Sequence, residues 1–195
     1  MDKLEKVQAF AKEMHDECGY DYHILSVVKN SIYLAKIVNA NLEVVQVAAY
    51  LHDLGVSRKI AGEGFSRAEN DHHILGAEEA RKFLLTLDYS EEFIEKVCNC
   101  ILTHRGRKGT PPITIEQKVI ANADAMAHFD TFLDLFEFFV GKTSNSFEEG
   151  VNEIYDKMKR DWELKLTLVE AREKIKPKYE AVMLILESMK EFMQK

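Results

Sequence analysis

The chain reads as an all-α protein, and three observations carry that reading. Apolar residues recur at helical spacing in nearly every segment, no run alternates with period two, and helix start and stop signals fall between the segments. Leu4, Val7, Phe10, Ala11 and Met14 form a first amphipathic stripe. A second helix is expected over 22–38, with Val27, Val28, Leu34, Ala35 and Val38 inward. A third, over 42–54, is apolar on most faces, and Gly55 stands where such a helix stops.

A polar loop containing Gly62 and Gly64 follows, and either Asn70 or Asp71 is expected to cap the next helix. Ala77, Ala80, Phe83, Leu84 and Leu87 line that helix. Ser90 opens another, with Phe93, Ile94, Val97, Ile101 and Leu102 inward. Thr114-x-x-Gln117 has the capping-box pattern and introduces a helix through about Phe129, prolonged by Phe132, Leu135 and Phe139. "GKTSNSFEEG" reads as a hinge. Beyond it, Ile154, Tyr155, Met158, Trp162, Leu166 and Val169 line one helix. Tyr179, Val182, Met183, Leu186 and Met193 line the last, with Pro177 at its start. The expected organisation is one unit over 1–140 and a C-terminal pair of helices, 141–195, packed on it or used for a homodimer.

Composition narrows the function. With 195 residues, 46% hydrophobic and 30% charged, the chain can fill one core. A net charge of −7 argues against non-specific nucleic-acid binding, yet leaves room for a small anion held by a local basic cluster. Three cysteines, Cys18, Cys98 and Cys100, make neither a disulfide framework nor a zinc-knuckle spacing. "MDKLEKVQAF" has no apolar signal core and no run reaches membrane length, so a cytoplasmic location without membrane attachment is expected.

The chemistry concentrates on histidines and aspartates that share the apolar faces. His52 follows Val45, Ala48 and Ala49 at helical spacing, and Asp53 follows Ala49. His104 follows Val97 and Ile101, Asp124 follows Ile120, and His23 precedes Val27. His72 lies four before Gly76, whose missing side chain leaves room beside an imidazole; His73 is the alternative. Singly, each reads as a core histidine or a capping aspartate. Together they would need five separate hydrogen-bonding arrangements in one small core, whereas one metal site satisfies them all.

The ordered set His23, His52-Asp53, Asp124 resembles the H…HD…D signature of the HD-domain superfamily of metal-dependent phosphohydrolases, over roughly residues 20–130. "YHILSVVKNSIYLA", "AAYLHDLG" and "VIANADAMAHF" look like its successive motif helices. His72 in "HHILGAEEA" and His104 in "ILTHR" resemble the further histidines of members with a dinuclear centre. The resemblance implies an HD-type helical bundle over 1–140 that hydrolyses a phosphoester or phosphoanhydride bond in a nucleotide-like small molecule. His23, His52, Asp53 and Asp124 would hold a first ion, and Asp53 would bridge to a second held by His72 and His104. Two such ions would lie roughly 3.5–4 Å apart and activate a water. Iron, manganese, zinc, cobalt or nickel would suit the ligands.

Where many relatives carry a lysine three residues after the motif aspartate, this chain has Val56. Phosphate binding would then fall to Arg58, Lys59, Arg67, Arg105, Arg107 or Lys108, with Arg105, beside His104, best placed to act in catalysis. His128, four after Asp124, could orient that carboxylate or meet substrate. Two alternatives follow from the same resemblance: a di-iron oxygenase on this fold, or a non-catalytic effector-binding module.

Overall fold

Side-chain caps set most of the helix starts. In the computed structural model, which describes residues 1–15, 19–57, 65–107, 109–144 and 146–193, Asp2 and Glu5 close a capping box on α1 (Lys3–Met14). Of residues 65–70, 142 and 143 the backbone alone is described. A π-helical turn, Gly19–Ile24, runs into α2 (Leu25–Val38), and Asn41 caps α3 (Leu42–Leu51). A 3₁₀ turn at Leu54–Val56 precedes α4 (Phe65–Leu85). Ser90 caps α5 (Glu91–Thr103), and Thr114 with Gln117 boxes α6 (Ile115–Asp130). Then come α7 (Phe132–Phe138), α8 (Phe147–Arg160) and α9 (Val169–Met193), with π turns at Phe139–Thr143 and Asp161–Lys165.

The described residues form helices and turns without a strand, as the periodicity requires. Helix α6 is the axis of the bundle: Val119, Ile120, Ala123, Ala125, Met126 and Ala127 are all buried. Its neighbours include α2, α3, α5 and α9, while α1 covers α3 and α8 lies on α9. Buried residues of the C-terminal pair, among them Ile154, Met158, Ile175 and Leu186, belong to the same apolar core. No helix among the described residues is long and apolar enough to cross a membrane.

Four local expectations need correction. The third helix ends at Leu51 rather than at residue 54; His52 caps it with backbone angles still helical, and Asp53 departs from the helix in the turn beyond. Helix α4 begins at Phe65, and Asn70 and Asp71 lie inside it; nothing in Ser66–Glu69 breaks a helix, so the capping preference is overridden. Pro177 stands inside α9, not at its start, on an exposed face where the carbonyl it leaves unbonded can reach water. Val169 opens that helix and is exposed, because the chain breaks at Leu166–Leu168, where Asn122 of α6 accepts from the Leu168 N–H at 3.0 Å. The polar-loop glycines Gly62 and Gly64, and Cys18, lie outside the described residues.

The early end of α3 has a packing cause. A Cβ on Gly55 would stand 2.0 Å from the His72 carbonyl oxygen, and one on Gly76 would meet the Gly55 nitrogen at 3.2 Å. The room left by Gly76 is thus taken by backbone from the end of α3, not by the imidazole of His72. Backbone lies on backbone, and α4 is brought down onto the turn that carries His52 and Asp53. Gly55→Ala should lower stability by about 3 kcal/mol, the upper end of overpacking costs. Chemical denaturation checks this, and a change under about 0.5 kcal/mol would contradict so close an approach.

Candidate metal centre

Five elements deliver the inward side chains to one place. His23 comes from the π turn ahead of α2, His52 and Asp53 from the turn after α3, and His72 from α4. His104 caps the C-terminus of α5, and Asp124 lies within α6. His52, His72, His104 and Asp124 are buried, while His23 and Asp53 are partly so.

The donors fall into two groups. Ligand atoms of His23, His52 and Asp124 lie within 4.8 Å of one another, as do those of Asp53, His72 and His104. Within the first group His23 Nε2 stands 3.3 Å from both His52 Nε2 and Asp124 Oδ1. Within the second, His72 Nε2 and His104 Nε2 are 3.1 Å apart. Asp53 faces both: Oδ2 is 3.3 Å from His23 and 3.4 Å from His52, and Oδ1 is 3.6 Å from His72 and 3.5 Å from His104.

The chemistry of the donors fits metal ions. His52 Nδ1–H donates to the Ala49 carbonyl at 2.9 Å, and His104 Nδ1–H to the Ile101 carbonyl at 2.6 Å. A carbonyl only accepts, so in each neutral ring the lone pair is left on Nε2, aimed into the cluster. Donors set about 2.1 Å from one ion at right angles lie about 3 Å apart, close to the spacings seen here. His73, the alternative to His72, is half-buried with its ring 6.0 Å from that of His72.

Electrostatics follow from the crowding. Burial pushes Asp53 up, but the imidazoles, His52 foremost, hold it well below the usual carboxylate range. Asp124 is held well below it too, chiefly by the Lys165 ammonium, against its own burial. Burial drives His104 well down and so favours its neutral form. Burial opposes charging His23 as well, yet hydrogen bonds to Asp124 and Asp53 raise it to about 9.

The centre opens on a cavity of about 860 Å³. Arg105 and Arg107, two of the cations singled out in the sequence, line it; Arg58, Lys59, Lys108 and the side chain of Arg67 lie outside the described residues. The sequence reading missed Lys157, Arg160, Asp161 and Lys165, which come from the C-terminal pair and line the same cavity. Asp161, 1% exposed, accepts from His128 Nδ1 at 2.8 Å and from Lys157 at 3.2 Å. His128 Nε2 lies 3.3 Å from Asp124 Oδ1.

The HD domain family matches residues 20–128. The chain belongs to the HD-domain family. Its fold is similar to that of Bacillus subtilis YpgQ in complex with ADP, at 19% identity over 97% of both chains and a TM-score of 0.71. A predicted HD superfamily hydrolase from an uncultured Thermotogales bacterium is similar over 96% of this HD-domain chain and 91% of its own, at 19% identity and a TM-score of 0.60. The Lin1889 protein from Listeria innocua is similar over 99% and 96%, also at 19% and 0.60. No curated protein sequence matches the chain.

Because His23 titrates near 9 in the metal-free protein, it is protonated at about pH 8, whereas a metal ion needs its neutral form. Metal binding at about pH 8 should therefore release close to one proton from this group, and the release should fade above about pH 9. Calorimetry in buffers of differing ionisation enthalpy measures it; proton-neutral binding would contradict the arrangement. The same raised pKa favours the metal-free fold below its ordinary 6.5, and that contribution is lost as pH rises through about 9.

Proposed function

We propose that this HD-domain protein is a metal-dependent hydrolase of phosphoester or phosphoanhydride bonds in nucleotide-like small molecules. The observation that carries the reading is the Asp53 carboxylate, its two oxygens divided between two imidazole groups beside a cation-lined cavity. In this reading His23, His52, Asp53 and Asp124 hold one ion, and Asp53, His72 and His104 hold a second. When bound, the ions lower the pKa of a water, orient the phosphate and neutralise the charge that develops on it.

The protein's own residues do the rest. The carbonyl-held rings of His52 and His104 keep Nε2 fixed as a donor to metal, which spares the cost of ordering them during turnover. Arg105 offers a planar fork suited to phosphate oxygens, and Arg107 adds charge at the cavity rim. Leu135, Phe138, Phe139 and Leu164 form an apolar wall able to take a base or sugar. The ADP bound by the structurally similar YpgQ supports the nucleotide class. The overall charge of −7 suits a small substrate better than a nucleic-acid backbone. The C-terminal helices, 141–195, act in this reading as an extension that completes the cavity.

Protein loaded with manganese, cobalt or iron should release phosphate or pyrophosphate from a panel of nucleoside di- and triphosphates, and chelation should abolish the release. Oxygen consumption with an organic substrate and no phosphate release would favour the oxygenase alternative instead. Arg105→Ala should raise KM or lower kcat/KM by about tenfold, the loss of one charge-assisted hydrogen bond, with metal content unchanged. Unaltered kinetics would move the role to another cation.

A further inference from the structure

We infer that Lys165, carried by the C-terminal segment, is a phosphate-contacting residue of this site, paired with Asp124 and lining the same cavity as Arg105 and Arg107. The inference deepens the hydrolase reading and rests on it. Lys165 is 7% exposed, and its ammonium donates to Asp124 Oδ2, while Oδ1 of the same carboxylate faces His23 and His128 at 3.3 Å. Asp124 therefore divides its oxygens, one toward the imidazoles and one toward Lys165. Among the described residues the hydrogen bond of this ammonium goes to Asp124 alone, and an ammonium has three donors. The other two are available to a guest in the cavity that Lys165 lines.

Two features hold the side chain there. The loop between Arg105 and Arg107 lies on its stem: Gly106 has φ +61°, and a Cβ on it would meet Lys165 Cγ at 3.1 Å. A bare glycine at that point lets the Arg105–Arg107 loop rest on the lysine stem, and Arg105, Arg107 and Lys165 all line the one cavity. The π turn Asp161–Lys165 is itself clamped from α9. Arg172 donates to the carbonyls of Leu166 at 2.5 Å and Trp162 at 3.0 Å, and lies over the Trp162 ring, which stacks on Tyr179 at 4.1 Å. A lysine fixed only to neutralise a buried aspartate would be a costly device, since a buried ion pair seldom outperforms apolar packing. Its place at the cavity wall gives the charge a use.

The test uses the full chain in EDTA, titrated calorimetrically with ADP and with inorganic pyrophosphate. Wild type should bind both, and Lys165→Met should weaken both by about tenfold or more, as expected when a charge-assisted contact is lost. Lys174→Met, on the outer face of α9 over the Tyr33 ring, should change neither. Should Lys165→Met fail to fold, wild type labelled with ¹⁵N-lysine decides, its Nζ signal assigned through Lys165→Arg. That signal should shift on adding pyrophosphate. Equal affinity in Lys165→Met, an unmoved signal under bound pyrophosphate, or no binding of either probe in EDTA would each overturn the assignment. None of these touches hydrolysis by the metal-loaded protein, which tests the wider reading separately.

Discussion

A carboxylate between two imidazole groups is the constraint around which this protein is arranged. Asp53 presents one oxygen to His23 and His52 and the other to His72 and His104, all within 3.3–3.6 Å. Removing such a charge from water is expensive unless opposing charge or metal compensates it. That cost explains why so much of the chain converges on one point. The turn after α3 must leave the helix early to aim Asp53, and α4 must reach it closely enough for backbone to touch backbone at Gly55 and His72. The carbonyls of Ala49 and Ile101 then fix two of the rings.

The second carboxylate, Asp124, extends the same logic toward the C-terminal helices. Its partners, Lys165 and His128, lead on to Asp161 and Lys157, so a chain of alternating charge links the bundle axis to the turn after α8. The cavity wall is therefore built jointly by the bundle helices and by α8 with the turn that follows it. The likeness to YpgQ spans 97% of each chain and so includes these last helices as part of a shared fold. A protein of net charge −7 thus places five cations, Arg105, Arg107, Lys157, Arg160 and Lys165, around one cavity.

Much of this was legible in the sequence. Periodicity and caps located the helices at Ser90 and Thr114, and the histidines and aspartates on apolar faces are the ones that converge. Boundaries that depend on tertiary contact were not legible. The end of α3 is decided by its packing on α4, the next helix, and the start of α9 by Asn122 of α6, which outweighs the preference of Pro177 for a first turn. The C-terminal share of the cavity was missed for a different reason. Asp161 and Lys165 follow Ile154 and Met158 at steps of three and four, so a signal existed: charged residues on a buried stripe. Such charges are usually solvated, and the pattern does not reveal which partner buries them.

The central claim is that Asp53 joins two ion sites, and metal loading tests it most directly. Metal-free protein titrated with manganese to saturation should take up two ions per chain, and its electron paramagnetic resonance should carry the signature of a coupled pair. In Asp53→Asn the coupling should vanish and uptake should fall, with the helical fold retained. Saturation at a single ion, or two ions without coupling in the wild type, would contradict the account.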